Sequence, residues 1–345
     1  SPFWMARGHW TEGRRSLESV LSRSAGRRQP RLRSLAFHWA ANLAECQGDL
    51  EAAVELNERA LALRRRIGDA GEVARSLNNL GNVYQRLGEL ERARALHEEG
   101  LAVQRPLGNL VDVAHALNNL GAIAGRQGRI DEARAFFEES LALKRQIGDR
   151  SAVARTLNNL GALAAMQADW PTARAYLAES LAASREIDDR PGAASVLRNL
   201  GEAAAVTGDH AAARAHFTEA LALQVELGNL PQAAEVLLLA AAAIASPGDG
   251  VLASPEDAAL AARLAGAWET LRAALPRRPR DPDEEQTLET LRATLRAGLG
   301  EDAFEASRAR GRETGLDEAI ALLRDDPKGG DAPSTPPAAA PPAAP

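Results

Sequence analysis

The chain has 345 residues but only one cysteine, two methionines and two lysines, and its aromatic content is 4%. The single thiol, Cys46, excludes an intramolecular disulfide framework and a multi-cysteine zinc site, and it suits a reducing cytosol. With so few aromatic and β-branched residues, the core must be built from Ala and Leu, which favour helices over a β-sandwich or barrel. No run of 18 apolar residues occurs; the longest candidate, Val236 to Ala245, is Ala-rich and too short to cross a membrane. Ser1 to Trp10 lacks the apolar stretch of a secretory signal. These absences predict a soluble, cytoplasmic protein with no membrane partner. The net charge of −6 argues against direct nucleic-acid binding, which needs a basic surface. Lys144 follows Leu143 and Lys328 follows Pro327, so the Gly-Lys-Ser/Thr of a phosphate-cradling loop is missing.

What is present is a repeat. Leu80-Gly81, Leu120-Gly121, Leu160-Gly161 and Leu200-Gly201 recur at a spacing of 40. Ala74, Ala114, Ala154 and Ala194 precede them. Ala93, Ala133, Ala173 and Ala213 follow, each within an Ala-Arg-Ala triplet. Self-similarity of this period signals stacked supersecondary units. Within residues 72–107, Val73, Leu77, Leu80 and Val83 or Tyr84 mark the apolar stripe of a first helix. Gly88-Glu89 breaks it, and Leu90, Ala93, Leu96 or His97, Gly100, Leu101 and Val103 mark a second. Pro171, Pro191 and Pro231 fall where helices should begin. The spacing predicts that Gly81 and its equivalents face Ala93 and its equivalents, bringing the two backbones close.

Leu77, Leu80, Gly81, Tyr84, Ala93 and the Phe137 position resemble the tetratricopeptide (TPR) pattern, here stretched from 34 residues to 40 by a longer second helix and exit loop. The resemblance implies an all-α, right-handed solenoid of helix-turn-helix repeats with a helical C-terminal cap. The expected organisation is a partial repeat over 1–33, five repeats over 34–230, a degenerate sixth repeat and cap over 231–324, and a disordered Pro/Ala-rich tail over 325–345, where seven of 21 residues are Pro. Gly8 to Leu21 matches only a second helix, with Gly13 and Leu17 in the Ala and Phe places. An upstream continuation of a larger parent chain is therefore expected. The stretches Ala262–Glu269, Leu299–Phe304, Gly311-Arg312, Leu316–Ala319 and Arg7–Arg15 are similar to the TPR region of bacterial STAND-type ATPase regulators. In that family a TPR arm senses a ligand for an upstream nucleotide-binding switch, and none of the ATPase or DNA-binding parts is found in this sequence.

A search for catalytic chemistry finds little. The six histidines, His9, His38, His97, His115, His210 and His216, include no i, i+4 pair for a helical metal site. No Gly-x-Ser-x-Gly elbow and no Gly-x-Gly-x-x-Gly loop occur. Cys46 reads as a small buried hydrophobe. Glu89, Glu91, Glu98, Glu99, Asp131 and Glu132 read as a solvated surface interleaved with Arg. The expectation is a protein that is not an enzyme and holds no cofactor and no metal.

The first helices carry a different signal. Asn78-Asn79, Asn118-Asn119, Asn158-Asn159 and Arg198-Asn199 recur in register. In the TPR family first helices line a concave groove. The resemblance therefore implies that the first member of each pair points into that groove and the second sits at the edge of the helix pair, in a structural role. Arg75, His115 and Arg155 lie one turn earlier, Asn82 and Glu202 one turn later, and Ala122 and Ala162 leave room. An amide offers an acceptor and two donors, which suits a peptide backbone. Arg75, Arg155, Arg198, Arg86 and Arg126 make the expected groove basic, favouring an acidic or carboxylate-bearing partner. The leading reading is a protein- or peptide-binding module serving as the sensing arm of a signalling or transcription regulator, and the competing one a free-standing scaffold for a constitutive complex.

Overall fold

The computed structural model describes Trp4 and residues 9–22, 29–246, 253–275 and 282–324; among the described residues there are sixteen helices and no strand. Two compact units result, one running to Asp189 and the other from Arg190, a boundary that falls inside the array expected over 34–230.

The first unit opens with α1 (Trp10–Ser22) and continues as four helix pairs. These are α2 (Pro30–Cys46) with α3 (Leu50–Ile67), α4 (Ala70–Arg86) with α5 (Leu90–Leu107), α6 (Leu110–Arg126) with α7 (Ile130–Ile147), and α8 (Arg150–Met166) with α9 (Trp170–Glu186). Leu77, Leu80 and Val83 are buried as the period requires, and in α5 the core residue is His97 rather than Leu96. The forty residues divide almost evenly, with 17 in α4 and 18 in α5. The extra length over a shorter repeat therefore does not lie in an exit loop, which is only Gly108-Asn109.

The turns explain why each unit stops where it does. Gly108 closes α5 at φ 68°, and Asn109 caps α6 by accepting from the Asp112 N–H at 3.3 Å. In the α8–α9 pair, Ala168 (φ 56°) and Asp188 (φ 54°) take the places that Gly88 and Gly108 hold in the second repeat. A left-handed conformation costs an L-residue about 1–2 kcal/mol, so this repeat is held together against local strain.

The close approach within each pair involves a larger residue besides the alanine of the spacing argument. A Cβ on Gly121 would lie 2.7 Å from the Phe137 ring, and one on Gly81 2.7 Å from His97. Gly161 meets Leu177 and Gly201 meets Phe217 in the same way. The glycine thus makes room for a large side chain one turn beyond the expected alanine. Ala93, Ala133 and Ala173 are fully buried, and a Cβ on Gly161 would also stand 3.3 Å from the Ala173 carbonyl oxygen, the facing that the spacing predicts.

The second unit contains the pairs α10 (Arg190–Val206) with α11 (His210–Glu226) and α12 (Leu230–Ala245) with α13 (Pro255–Ala274), then α14 (Pro282–Leu299), α15 (Glu301–Glu313) and α16 (Leu316–Arg324). Backbone meets backbone where α13 crosses α15: a Cβ on Gly266 would stand 2.2 Å from the Arg308 carbonyl oxygen, and one on Gly311 2.0 Å from that of Arg263. α16 folds back onto α11, where Arg214 Nη2 donates to the Leu322 carbonyl at 3.4 Å. All of the expected 325–345 tail lies outside the described residues, as do Arg7 and Gly8 of the Arg7–Arg15 stretch.

Candidate functional site

Within the first unit the first helices of neighbouring repeats touch, α4 with α6 and α6 with α8, whereas neighbouring second helices meet less. The first helices therefore form the inner layer. Their polar face lines a groove of about 380 Å³ built from α2, α4 and α6, with Arg64 reaching in from the end of α3. Of the residues singled out in the sequence, Arg75, Asn78, Asn79, Asn82, His115 and Asn119 line it together. Leu35, His38, Trp39, Glu72 and Asp112 also line it and were missed. Their signal is register, since His38-Trp39 stand forty residues before Asn78-Asn79, in a repeat too divergent to show an Asn pair.

Short amide bridges join the inner layer. Asn79 Nδ2 donates to His38 Nδ1 at 3.2 Å and Asn119 Nδ2 to Asn82 Oδ1 at 2.9 Å. Asn159 Nδ2 donates to Asn118 Oδ1 at 3.4 Å. The second member of the first three pairs thus ties adjacent repeats. The bond across the helix pair, expected of that second member, is made by the first: Asn78 Oδ1 lies 3.3 Å from His97 Nδ1 on α5, and Asn118 Oδ1 accepts from Lys144 Nζ on α7 at 3.1 Å. Asn78, Asn79 and Asn119 are half-buried, each engaged through one end of its amide.

The charges partition as well. Arg75 pairs with Glu72, which also binds Arg64 at 2.8 Å. Arg86 pairs with Glu45 at 3.4 Å, and Arg126 donates to the Gln85 carbonyl at 3.2 Å. Arg155, exposed on α8, makes no ion pair among the described residues. Burial, then the charge of Arg64, lowers the His38 pKa to about 4, so the groove presents a neutral imidazole there. Partial desolvation, then the positive charges of Lys144 and Arg155, lowers that of His115.

Asn158 lies half-buried on α8. Arg198, Asn199 and Glu202 belong to the second unit, where Arg198 pairs with Glu202 at 2.9 Å and with Glu235 at 3.1 Å. Burial pushes the Glu202 carboxyl up, against the lowering by Arg198. Trp170 is half-buried beside the turn that opens α9, and Cys46 ends α2, partly exposed. Among the described residues no group of three or more His, Cys, Asp or Glu is placed to hold a metal ion, and no helix is long and apolar enough to cross a membrane.

No curated protein matches the sequence. Solved structures match the fold. The crystal structure of BtubC from P. vanneervenii is 22% identical over 67% of this chain and 96% of its own, with a TM-score of 0.55. A STAND ATPase with a tetratricopeptide-repeat sensor from Pyrococcus horikoshii is 16% identical over 90% of this chain but 44% of its own, with a TM-score of 0.60. The Rap conjugation gene regulator of plasmid pLS20, in complex with the Phr* peptide, is 13% identical over 85% of this chain and 79% of its own, with a TM-score of 0.56. The family model for the tetratricopeptide repeat matches residues 32–105, 112–186 and 152–226. Matched repeat after repeat across more than half of its length, this chain belongs to the tetratricopeptide-repeat family.

Proposed function

We propose that this chain is a non-enzymatic peptide- or protein-binding module that holds an extended segment in the groove of its inner helices and works as the sensing arm of a cytoplasmic signalling or transcription regulator. The observation that carries the reading is the amide-lined groove itself. Asn78, Asn79 and Asn119 each use one end of the amide within the protein. The other ends supply donors and acceptors at a spacing set by the repeat, which suits a peptide backbone and leaves side-chain selection to the surrounding Leu35, Trp39, Arg75 and His115. The Rap regulator of plasmid pLS20 was solved with a peptide bound, and the Pyrococcus protein carries a tetratricopeptide sensor; both share the fold. The outer helices supply little for a competing scaffold role, since Arg65, Arg105 and Arg145 pair with Glu99, Glu139 and Glu179 of the next repeat.

The reading is tested with the double variant Asn79→Ala, Asn119→Ala, which leaves the Asn118–Lys144 bond untouched. The wild-type chain is expected to capture a partner from the source cell that the variant loses, with far-UV circular dichroism unchanged. Equal capture by both proteins overturns the groove and favours the scaffold.

A further inference from the structure

The first repeat differs from the others inside its core. In the second to fourth repeats, His97, Phe137 and Leu177 fill the space beside Gly81, Gly121 and Gly161 of the first helix. The same register position in α3 is Asn57, fully buried, and the glycine position in α2 is Ala41. Neither end of the Asn57 amide finds a hydrogen-bond partner among the described residues. His97, also polar, is bonded to Asn78. A second core position changes too. Leu80, Leu120 and Leu160 are buried on the first helices, and their counterpart is Ala40. Phe37, where the other repeats carry Leu77, Leu117 and Leu157, restores some volume but offers the amide no strong partner.

Both changes weaken the joint between α2 and α3. A desolvated amide gives up its bonds to water and gains none in return, whereas leucine or phenylalanine would bury apolar area. Alanine in a leucine position forgoes further contacts. Outside that joint the two helices are well tied. On one side α1 holds α2, with Arg14 paired to Asp49 at 2.7 Å and Arg33 donating to the Leu21 carbonyl at 2.9 Å. On the other side α4 holds both, through Asn79 to His38 and Glu72 to Arg64. The first repeat is therefore weak within itself rather than at its borders. It also builds one wall of the groove: α2 contributes Leu35, His38 and Trp39, and α3 contributes Arg64.

We propose that the first repeat is a movable wall of the groove, opening locally at the α2–α3 joint around Asn57 while the second to fourth repeats stay folded. Local openings of this kind draw on the least stable element of a fold. That the opening serves a bound segment rests on the groove reading; the opening itself does not.

Hydrogen exchange of the full chain in native buffer, read by mass spectrometry, tests the wall. Amides in α2 and α3 are expected to exchange about tenfold faster than those in α6 and α7. Asn57→Leu, which installs the residue found at Leu177, is expected to slow exchange in α2 and α3 about tenfold and to leave α6 and α7 unchanged. An Asn57 that served as an ordinary structural anchor would give the opposite sign. Should leucine crowd the Ala41 methyl, the double variant Ala41→Gly, Asn57→Leu recreates the Gly161–Leu177 pair and carries the same expectation. Equal protection of the first and third repeats in the wild-type chain overturns the movable wall, as does unchanged or faster exchange in α2 and α3 of both variants. Slowed exchange together with partner capture that survives Asn79→Ala, Asn119→Ala supports the opening and removes the groove reading.

Discussion

The inner and outer layers of the first unit solve the same problem with side chains of different length. Successive first helices lie close, and they are bridged by Asn to Asn or Asn to His contacts of 2.9–3.4 Å. Successive second helices stand farther apart, and only long side chains span them: Arg65 with Glu99, Arg105 with Glu139, Arg145 with Glu179. The inner bridges are half-buried amides, so each unmade bond would be felt. The outer bridges are about half exposed and screened by water, where ion pairs contribute little. Curvature therefore assigns the specificity of stacking to the inside and solubility to the outside.

The comparison breaks most visibly at the contact joining the two layers. Gly121→Leu forces a branched side chain into the Phe137 ring and should destabilise the protein by about 3 kcal/mol, the upper end of typical overpacking, read by urea denaturation. Asn118→Ala comes next. It removes the oxygen that accepts from Lys144, Thr156 and Asn159, and should cost about 2 kcal/mol because it strips a buried ammonium of an acceptor.

His97 sharpens the comparison, because it is the inner-to-outer contact that titrates. It is fully buried, and burial holds its pKa at about 4, below the unfolded value of 6.5. The unfolded chain then takes up the proton first as pH falls through 6.5, so stability drops down to pH 4 and is flat beyond. At pH 5 this histidine should account for about 2 kcal/mol of lost stability. His97→Phe, matching Phe137 and Phe217, should abolish that share, as read from urea midpoints at pH 7 and pH 5. The smallest effect belongs to the outside. A double-mutant cycle on Arg145→Gln and Glu179→Gln should give a coupling below about 0.5 kcal/mol that vanishes in concentrated salt. A coupling as large as the inner effects would refute the division between layers.

Much of this was legible in the sequence. The forty-residue period, the two stripes per unit and the break at Gly88-Glu89 mark out the helices, because burial and capping act through local spacing. The partner of Gly81 was not fixed. Ala93 and His97 are four residues apart on one helix face, and periodicity cannot tell neighbouring turns of the same stripe apart. The roles within each Asn pair also escaped, since adjacent residues on an inner helix differ by about 100° in direction, enough to exchange the helix-pair and neighbour-repeat bonds. Lys144 was hidden for another reason. A long cationic side chain is ordinarily taken as solvated, and its burial against Asn118 and Thr156 emerges only in the fold.

The backward reach of α16 to α11 has a consequence for how the molecule comes apart. In a simple stack each unit touches only its neighbours, so an end can peel away one hairpin at a time. Here a bond between residues 214 and 322 spans 108 positions. Everything from α11 to α16 is enclosed in that loop, and it must let go as a single cooperative event instead of unzipping.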